Sequence, residues 1–307
     1  MHLAVWGQDV TRDWSNTSLT VKNITVSGAI SGSAELEFDT VVQMKAFDFS
    51  QVADGSRVKC NGYHVANDGF FGPDVFWNAT STATGNGLSV FDPDISGAGR
   101  LIRSFATPIS VKWGGARGYA SSLTGTISTS GTTLTGAGTL FSSELSVGDD
   151  IMYKVGTATF YVAEIATITD DTNATITTAF ETDASSDSYE LVYDESPYIQ
   201  SVLDYMLTGT SPARRGKVLI PPGSYVVNTT LEVRGLSVEV EGEAGEIATK
   251  LIGNDLSGPV IELTARRQAL RNIDIDATEE RAGEIWRDFD HGIVVEASDP
   301  PANFPTH

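Results

Sequence analysis

Residues 193–207 read Tyr-Asp-Glu-Ser-Pro-Tyr-Ile-Gln-Ser-Val-Leu-Asp-Tyr-Met-Leu, and residues 214–227 read Arg-Arg-Gly-Lys-Val-Leu-Ile-Pro-Pro-Gly-Ser-Tyr-Val-Val. The first stretch predicts a helix. Ser196 can cap it, Pro197 suits its first position, and Ile199, Val202, Leu203 and Met206 recur on one face at helical spacing. The second predicts a short strand over 218–220. That strand stops because Pro221 and Pro222 cannot donate to a ladder and Gly223 permits the turn.

Working downstream, short apolar runs recur at 218–220, 226–233, 236–240, 251–252, 260–263, 273–275 and 293–295. Gly, Asn and Asp stand at the corners between them, as expected where each turn of chain buries its apolar interior by stacking on the next. A short helix feeding a strand that ends Ile-Pro-Pro-Gly-Ser-Tyr resembles the start of a right-handed parallel β-helix of the pectate-lyase superfamily. That scaffold is common in phage tailspikes and extracellular polysaccharide-degrading enzymes. Only about three coils fit before His307, and the closing Pro300-Pro-Ala-Asn-Phe-Pro-Thr-His is no capping element. The chain is therefore expected to be the N-terminal portion of a longer protein, with residues 194–307 supplying the capping helix and first coils.

Working upstream, residues 51–64 give turn, strand and turn. They are followed by Asn67-Asp-Gly-Phe-Phe-Gly, Val75-Phe-Trp-Asn-Ala-Thr-Ser-Thr, Asn86-Gly-Leu-Ser-Val-Phe and Gly99-Arg-Leu-Ile-Arg. This order resembles the N-terminal head module of phage tailspikes and tail fibres, here over residues 36–105. The departures are a short glycine run at 67–72 and Leu101 where that family usually has Trp. Phe38, Val41, Val42 and Met44 predict a short helix at its start. Residues 1–35, polar and β-leaning, are expected to form a virion-attachment arm. Residues 106–118 resemble the lead-in to the β-helix.

Residues 119–193 have a character of their own. β-formers alternate on either side of Ser130 and Gly131, which predicts a hairpin. Further strands are expected within 145–153, 158–165 and 174–180. We read the segment as a small β-barrel or sandwich inserted into the capping loop, folding independently, since insertions are tolerated where loop ends lie close together at the surface. The fold class expected for the whole is mainly β: head module, inserted β unit and first coils of a right-handed parallel β-helix.

Composition narrows the functional classes. The 307 residues carry 40 acidic and 20 basic side chains, a formal net charge of −20. Such a chain repels phosphate, so nucleic acid is not an expected partner. Thirty glycines and little sustained helical periodicity favour tight-turned β structure. Cys60 is the sole cysteine, which excludes an intrachain disulfide or a cysteine zinc cluster. No apolar run is long enough to span a membrane, and Met1-His-Leu-Ala-Val-Trp-Gly-Gln-Asp has no basic and apolar leader, so membrane insertion and Sec export are not expected. An extracellular type of fold without an export signal suggests release by lysis, as for a virion component.

Candidate chemistry is sparse. Asn272-Ile-Asp-Ile-Asp alternates, which predicts Ile273 and Ile275 inward and Asp274 and Asp276 outward. Their Cα atoms would stand roughly 6–7 Å apart, within the general range for paired acid and base groups in glycosidases. The plainer reading is a solvated acidic face, and a hard cation shared with Glu279 is weaker still. His64 has no evident partner, and His291 reads as a turn residue. Sugar stacking by Trp113, Phe76 or Trp77 ranks below core packing. No nucleophile elbow, phosphate loop or metal-binding histidine pair is present. No cofactor and no metal are expected.

The resemblance implies the virion-proximal part of a phage tailspike or tail fibre, a homotrimer. Residues 1–35 would bind a tail or baseplate protein, and the distal part would meet host surface polysaccharide. The alternatives are a polysaccharide depolymerase with its site in the β-helix, and a non-enzymatic adaptor whose insert docks a second fibre.

Overall fold

The computed structural model describes residues 36–277 apart from 70–71, 96, 119–120, 156–158, 208–215, 244–248, 255, 257 and 266. For residues 155, 159, 276 and 277, and for the strands His2–Val5, Gln8–Thr11, Leu19–Thr20 and Ile293–Val295, it describes the backbone alone. Most of the expected arm, together with Glu279, His291 and 300–307, lies outside the described residues. The chain is mainly β.

Between 36 and 103 the strands Leu36–Phe38, Arg57–Cys60, Val75–Asn78, Arg100–Arg103 and Val90–Phe91 lie side by side in that order, with Leu19–Thr20 beyond Leu36–Phe38. Period-two alternation turns Val75 and Trp77 inward and Phe76 outward. Phe38, Phe47, Phe49 and Trp77 fill the inner face, with Phe49 stacked on Trp77 at 4.8 Å between ring centres. The helix Val41–Lys45 starts where the Thr40 hydroxyl accepts from the Gln43 amide, and it buries Val41 and Met44.

Between 121 and 192 the chain makes one eight-stranded antiparallel sheet. The hairpin Thr126–Ser130 to Thr133–Ala137 sets Ser130 opposite Thr133, leaving Gly131, at φ +57°, in the turn. Positive φ there matches the twist of the flanking strands. The end strand Ser185–Asp187 runs almost directly into Tyr189–Val192, which lies near the opposite end, so the sheet curls on itself. Ile127, Leu134, Phe141, Ile151, Ile165 and Tyr189 fill its interior.

From 216 onward the chain visits three parallel sheets in rotation. Gly216–Ile220, Gly223–Val227 and Leu231–Val233 are followed by Val238–Gly242, Thr249–Gly253 and Ile261–Leu263, and then by Ala269–Arg271, Ile273–Ala277 and Ile293–Val295. Each strand pairs in register with its successor: Val218 with Val240 and then Leu270, Tyr225 with Leu251 and then Ile275, Leu231 with Ile261 and then Ile293. Val218, Val240, Tyr225, Leu251, Leu231 and Ile261 form one buried interior. Burying each aliphatic side chain fully is worth about 1.5–3 kcal/mol. The strand Ile109–Ser110 extends the first sheet by pairing parallel to Val218 and Leu219.

The helix Ser196–Tyr205 closes the start of this stack. It buries Ile199, Val202 and Leu203 and packs on the turn Val111–Gly114 and the strand Leu231–Val233. Gly114 sits where a Cβ would come within 2.8 Å of the Tyr198 carbonyl oxygen, so the close approach requires glycine. The cap differs from the expected Ser196. Glu195 occupies the cap position, and the Ser196 amide donates to Asp194 Oδ1 at 2.9 Å. The Ser196 hydroxyl instead accepts from the amides of Asn228 (2.8 Å) and Thr229 (3.1 Å), at the corner where the chain leaves its second sheet. Asp194 Oδ1 also accepts from the Asn228 amide at 3.2 Å, so it is the Thr229 amide that depends on the Ser196 hydroxyl, and an amide left without an acceptor costs more than a helix start already served by a neighbouring carboxylate.

Candidate functional site

Asp274 is exposed, and its neighbours Ile273 and Ile275 pack on the interior, so the strand alternates in the expected sense up to that point. The side chain of Asp276 lies outside the described residues. In register, Asp274 follows Lys250, and Asp276 follows Ile252. Ile252 and Val226 point away from the stack interior yet are buried, because Met152 and Val192 of the curled sheet close over them, with Phe160 and Val162 at the margin. Lys250 Nζ lies 5.0 Å from the centre of the Phe160 ring. The flank where the carboxylates were expected to face open solvent is thus occupied, over its first two strands, by the 119–193 segment.

The densest polar assembly lies elsewhere, where the two ends of that segment meet the head sheet and the capping helix. Glu195, 1% exposed, accepts from the amides of Arg117 (2.9 Å) and Gly118 (3.3 Å). The chain therefore leaves at 118 and returns at 194 within one carboxylate's reach. Burial pushes the Glu195 carboxyl up to about 7, against the opposing pull of these amides and of the charges on Arg117 and Lys112. The Arg117 guanidinium lies over the Tyr193 ring at 3.7 Å and donates to His64 Nδ1 at 3.1 Å. A planar cation over an aromatic face, partly out of water, is a favourable contact in its own right. His64 Nε2 donates to the Gly115 carbonyl at 2.7 Å, and its ring meets Tyr198 edge to face at 5.2 Å. Lys112 Nζ donates to the Arg117 carbonyl at 2.5 Å.

These residues were missed in the sequence. His64 lacked a partner because its partners lie far along the chain, at 115, 117 and 198. The available signal was the insertion itself: excising 119–193 brings Arg117 and Gly118 next to Asp194 and Glu195. Both ring nitrogens of His64 are engaged, and the contacts among the described residues join the head, the lead-in and the capping helix.

A second polar feature sits inside the head. Arg103, 2% exposed, donates through Nε and Nη2 to the Leu88 carbonyl and through Nη2 to that of Trp113. Burial lowers its pKa to about 9. It floors a cavity of about 340 Å³ that Cys60, Asn61, Asn67 and Asp74 also line. Burial pushes the Cys60 thiol up to about 12, and its Sγ donates to the Gly62 carbonyl, so it is no nucleophile at neutral pH. Trp77 is buried and Trp113 stacks on Phe105 at 5.5 Å, while Phe76 is exposed. Among the described residues no group of acidic, histidine and cysteine side chains is arranged to hold a metal. None of the described helices is long and apolar enough to cross a membrane.

A scan of the chain against protein-family models gave no match, and a search of curated proteins gave no similar sequence.

Proposed function

We propose that this chain is the virion-proximal part of a phage tailspike or tail fibre protein. Residues 194–307 would be the capping helix and first coils of a right-handed parallel β-helix of the pectate-lyase type. Residues 36–105 would be the head module, 106–118 the lead-in and 119–193 the inserted β unit. Residues 1–35 would anchor the molecule to a tail or baseplate protein. The observation that carries the reading is the rotation of the chain through three parallel sheets in register, closed at its start by an apolar helix. An element of that kind is stiff and extends by repetition, which suits a part that holds a receptor-binding region away from the particle.

In this reading the chain works as a homotrimer, because cyclic assembly covers the flanks of a short stack. Its role is attachment and assembly, and host surface glycan is met further along. Two measurements test it. Light scattering of the purified chain should give three times the chain mass, and imaging of virions labelled with an antibody to 119–193 should place it at the tail. A heat-stable monomer that labels no particle would overturn the proposal. Asp274→Asn with Asp276→Asn should leave adsorption and trimer mass unchanged. Loss of glycan degradation in that double variant, with the fold intact, would move an active site into this chain.

A further inference from the structure

Two contacts of the head with the lead-in and the parallel stack differ in chemistry, beside a third where the Tyr63 ring meets Tyr198 edge to face at 5.7 Å. At the first, Leu88 leaves the head and is fully buried in the stack interior, while Arg103 holds the carbonyls of Leu88 and Trp113. Nothing there gains or loses a proton near neutral pH. At the second, His64 of the head is gripped by the lead-in through both ring nitrogens.

The partners of His64 dictate its protonation state. The Gly115 carbonyl can only accept, so Nε2 carries hydrogen. The Arg117 guanidinium can only donate, so Nδ1 must offer its lone pair. The grip therefore requires neutral imidazole. A proton on Nδ1 would abolish the bond from Arg117 and set two donors, and two positive charges, face to face. Arg117 would keep the seat over the Tyr193 ring that it already occupies.

We propose that this contact is a proton-operated latch: above about pH 6.5 it ties His64 of the head to the lead-in, and on acidification it opens, leaving the head held by Leu88, Arg103 and the contact of Tyr63 with Tyr198. The inference stands on the geometry of the joint and is independent of the proposed biological role.

The groups against His64 are Tyr63 and Asp68 from the head, Arg117 from the lead-in and Tyr198 from the helix, while Lys112, Tyr193 and Glu195 contact its partner Arg117. Asp68 draws the proton toward His64, but its carboxylate also serves the amides of Tyr63, His64 and Val65. Burial acts first to lower the His64 pKa from its usual 6.5; the Gly115 carbonyl opposes this, and the Arg117 charge lowers it further. A histidine held below its unfolded value contributes stability above pH 6.5 that is lost as the pH falls. Glu195 titrates nearby in the opposite sense, since losing its charge on acidification relieves a burial cost.

The experiment is hydrogen exchange of the intact chain at pH 7.5 and 5.0, corrected for intrinsic rates, in the wild type, His64→Phe and Glu195→Gln. In Glu195→Gln, where the opposing response of the carboxyl group is removed, protection of the amides in 112–118 should fall about tenfold at the lower pH, the scale set by losing one charge-assisted bond. In the wild type the fall should be smaller, because protonation of Glu195 works against it. Protection in 36–60 should hold. His64→Phe keeps a ring against Tyr198 but cannot latch, so it should be poorly protected at both values. A pH-independent Glu195→Gln would overturn the proposal. So would a response that persists in His64→Phe and vanishes in Glu195→Gln, which would assign the effect to the carboxyl group. Should His64→Phe fail to fold, the titration of the His64 ring protons by NMR decides instead. An ordinary or raised value in the wild type, or one unmoved by Arg117→Gln, sinks the latch.

Discussion

Val226 and Ile252 stand opposite each other in register on adjacent parallel strands, and both are buried on the side facing away from the stack interior. Their immediate neighbours Tyr225, Val227 and Leu251 fill that interior. The strands are thus apolar on both faces, and the second face belongs to the curled sheet of 119–193, through Met152 and Val192.

This docking bears on removal of the segment. Deleting 119–193 and bridging Gly118 to Asp194 keeps the chain ends together but uncovers Val226 and Ile252. The deletion should give a soluble, β-rich protein only when both are also changed to Thr, as solubility and circular dichroism will show. In the intact chain, Ile252→Ala should cost about 2–5 kcal/mol in urea unfolding. A cost below 1 kcal/mol on the order of surface changes would mean that the sheet only rests against the stack.

Glu195 gives a pH dependence with a definite sign. Its value in the folded chain, about 7, lies above the ordinary 4.5, so its contribution is fully present below 4.5 and is lost as the pH rises through 7. Glu195→Gln removes the charge and keeps one acceptor for the amides of Arg117 and Gly118. Urea unfolding should therefore find the wild type falling behind this variant between pH 5 and 8, by about 2–3 kcal/mol. Parallel curves would show that the carboxylate is stabilised as an ion.

Gly118 has φ +62°, and a Cβ there would lie 2.2 Å from the Tyr225 ring. Tyr225 is fully buried and its hydroxyl donates to the Pro221 carbonyl, so the ring has little freedom to withdraw. Gly118→Ala should destabilise the chain by about 2–4 kcal/mol, overpacking and the left-handed backbone both contributing. Thermal unfolding measures it, and Gly131→Ala is the control. Gly131 also has positive φ but open space around it, and should cost about 1 kcal/mol.

Local signals read well where one face of an element decides its form. The apolar spacing of Ile199, Val202 and Leu203 places the helix at Ser196–Tyr205, and alternation about Gly131 places the hairpin. The short runs after 217 fall on strands of the parallel sheets, except that the run at 226–233 divides at a corner between Gly223–Val227 and Leu231–Val233. Ser196 misled because a hydroxyl ahead of a helix is a cap by default. Nothing local reveals that the corner at Asn228 and Thr229 competes for it. Asp274 and Asp276 drew notice as an alternating acidic pair, whereas the residues that do converge, His64, Arg117, Tyr193 and Glu195, form no pattern along the chain.

The sequence by itself determined the mainly β class, the position of the closing helix and the residues able to fill a stack interior. Those properties follow from the period of apolar residues and from proline and glycine, which act within a few positions. Only the tertiary structure decided that Val226 and Ile252 lie under a second sheet, that a buried carboxylate joins 118 to 195, and that His64 is held from both sides. Alternation marks which side chains share a face. Which distant face comes to cover it depends on contacts between segments far apart in the chain, and those exist only once the elements have packed.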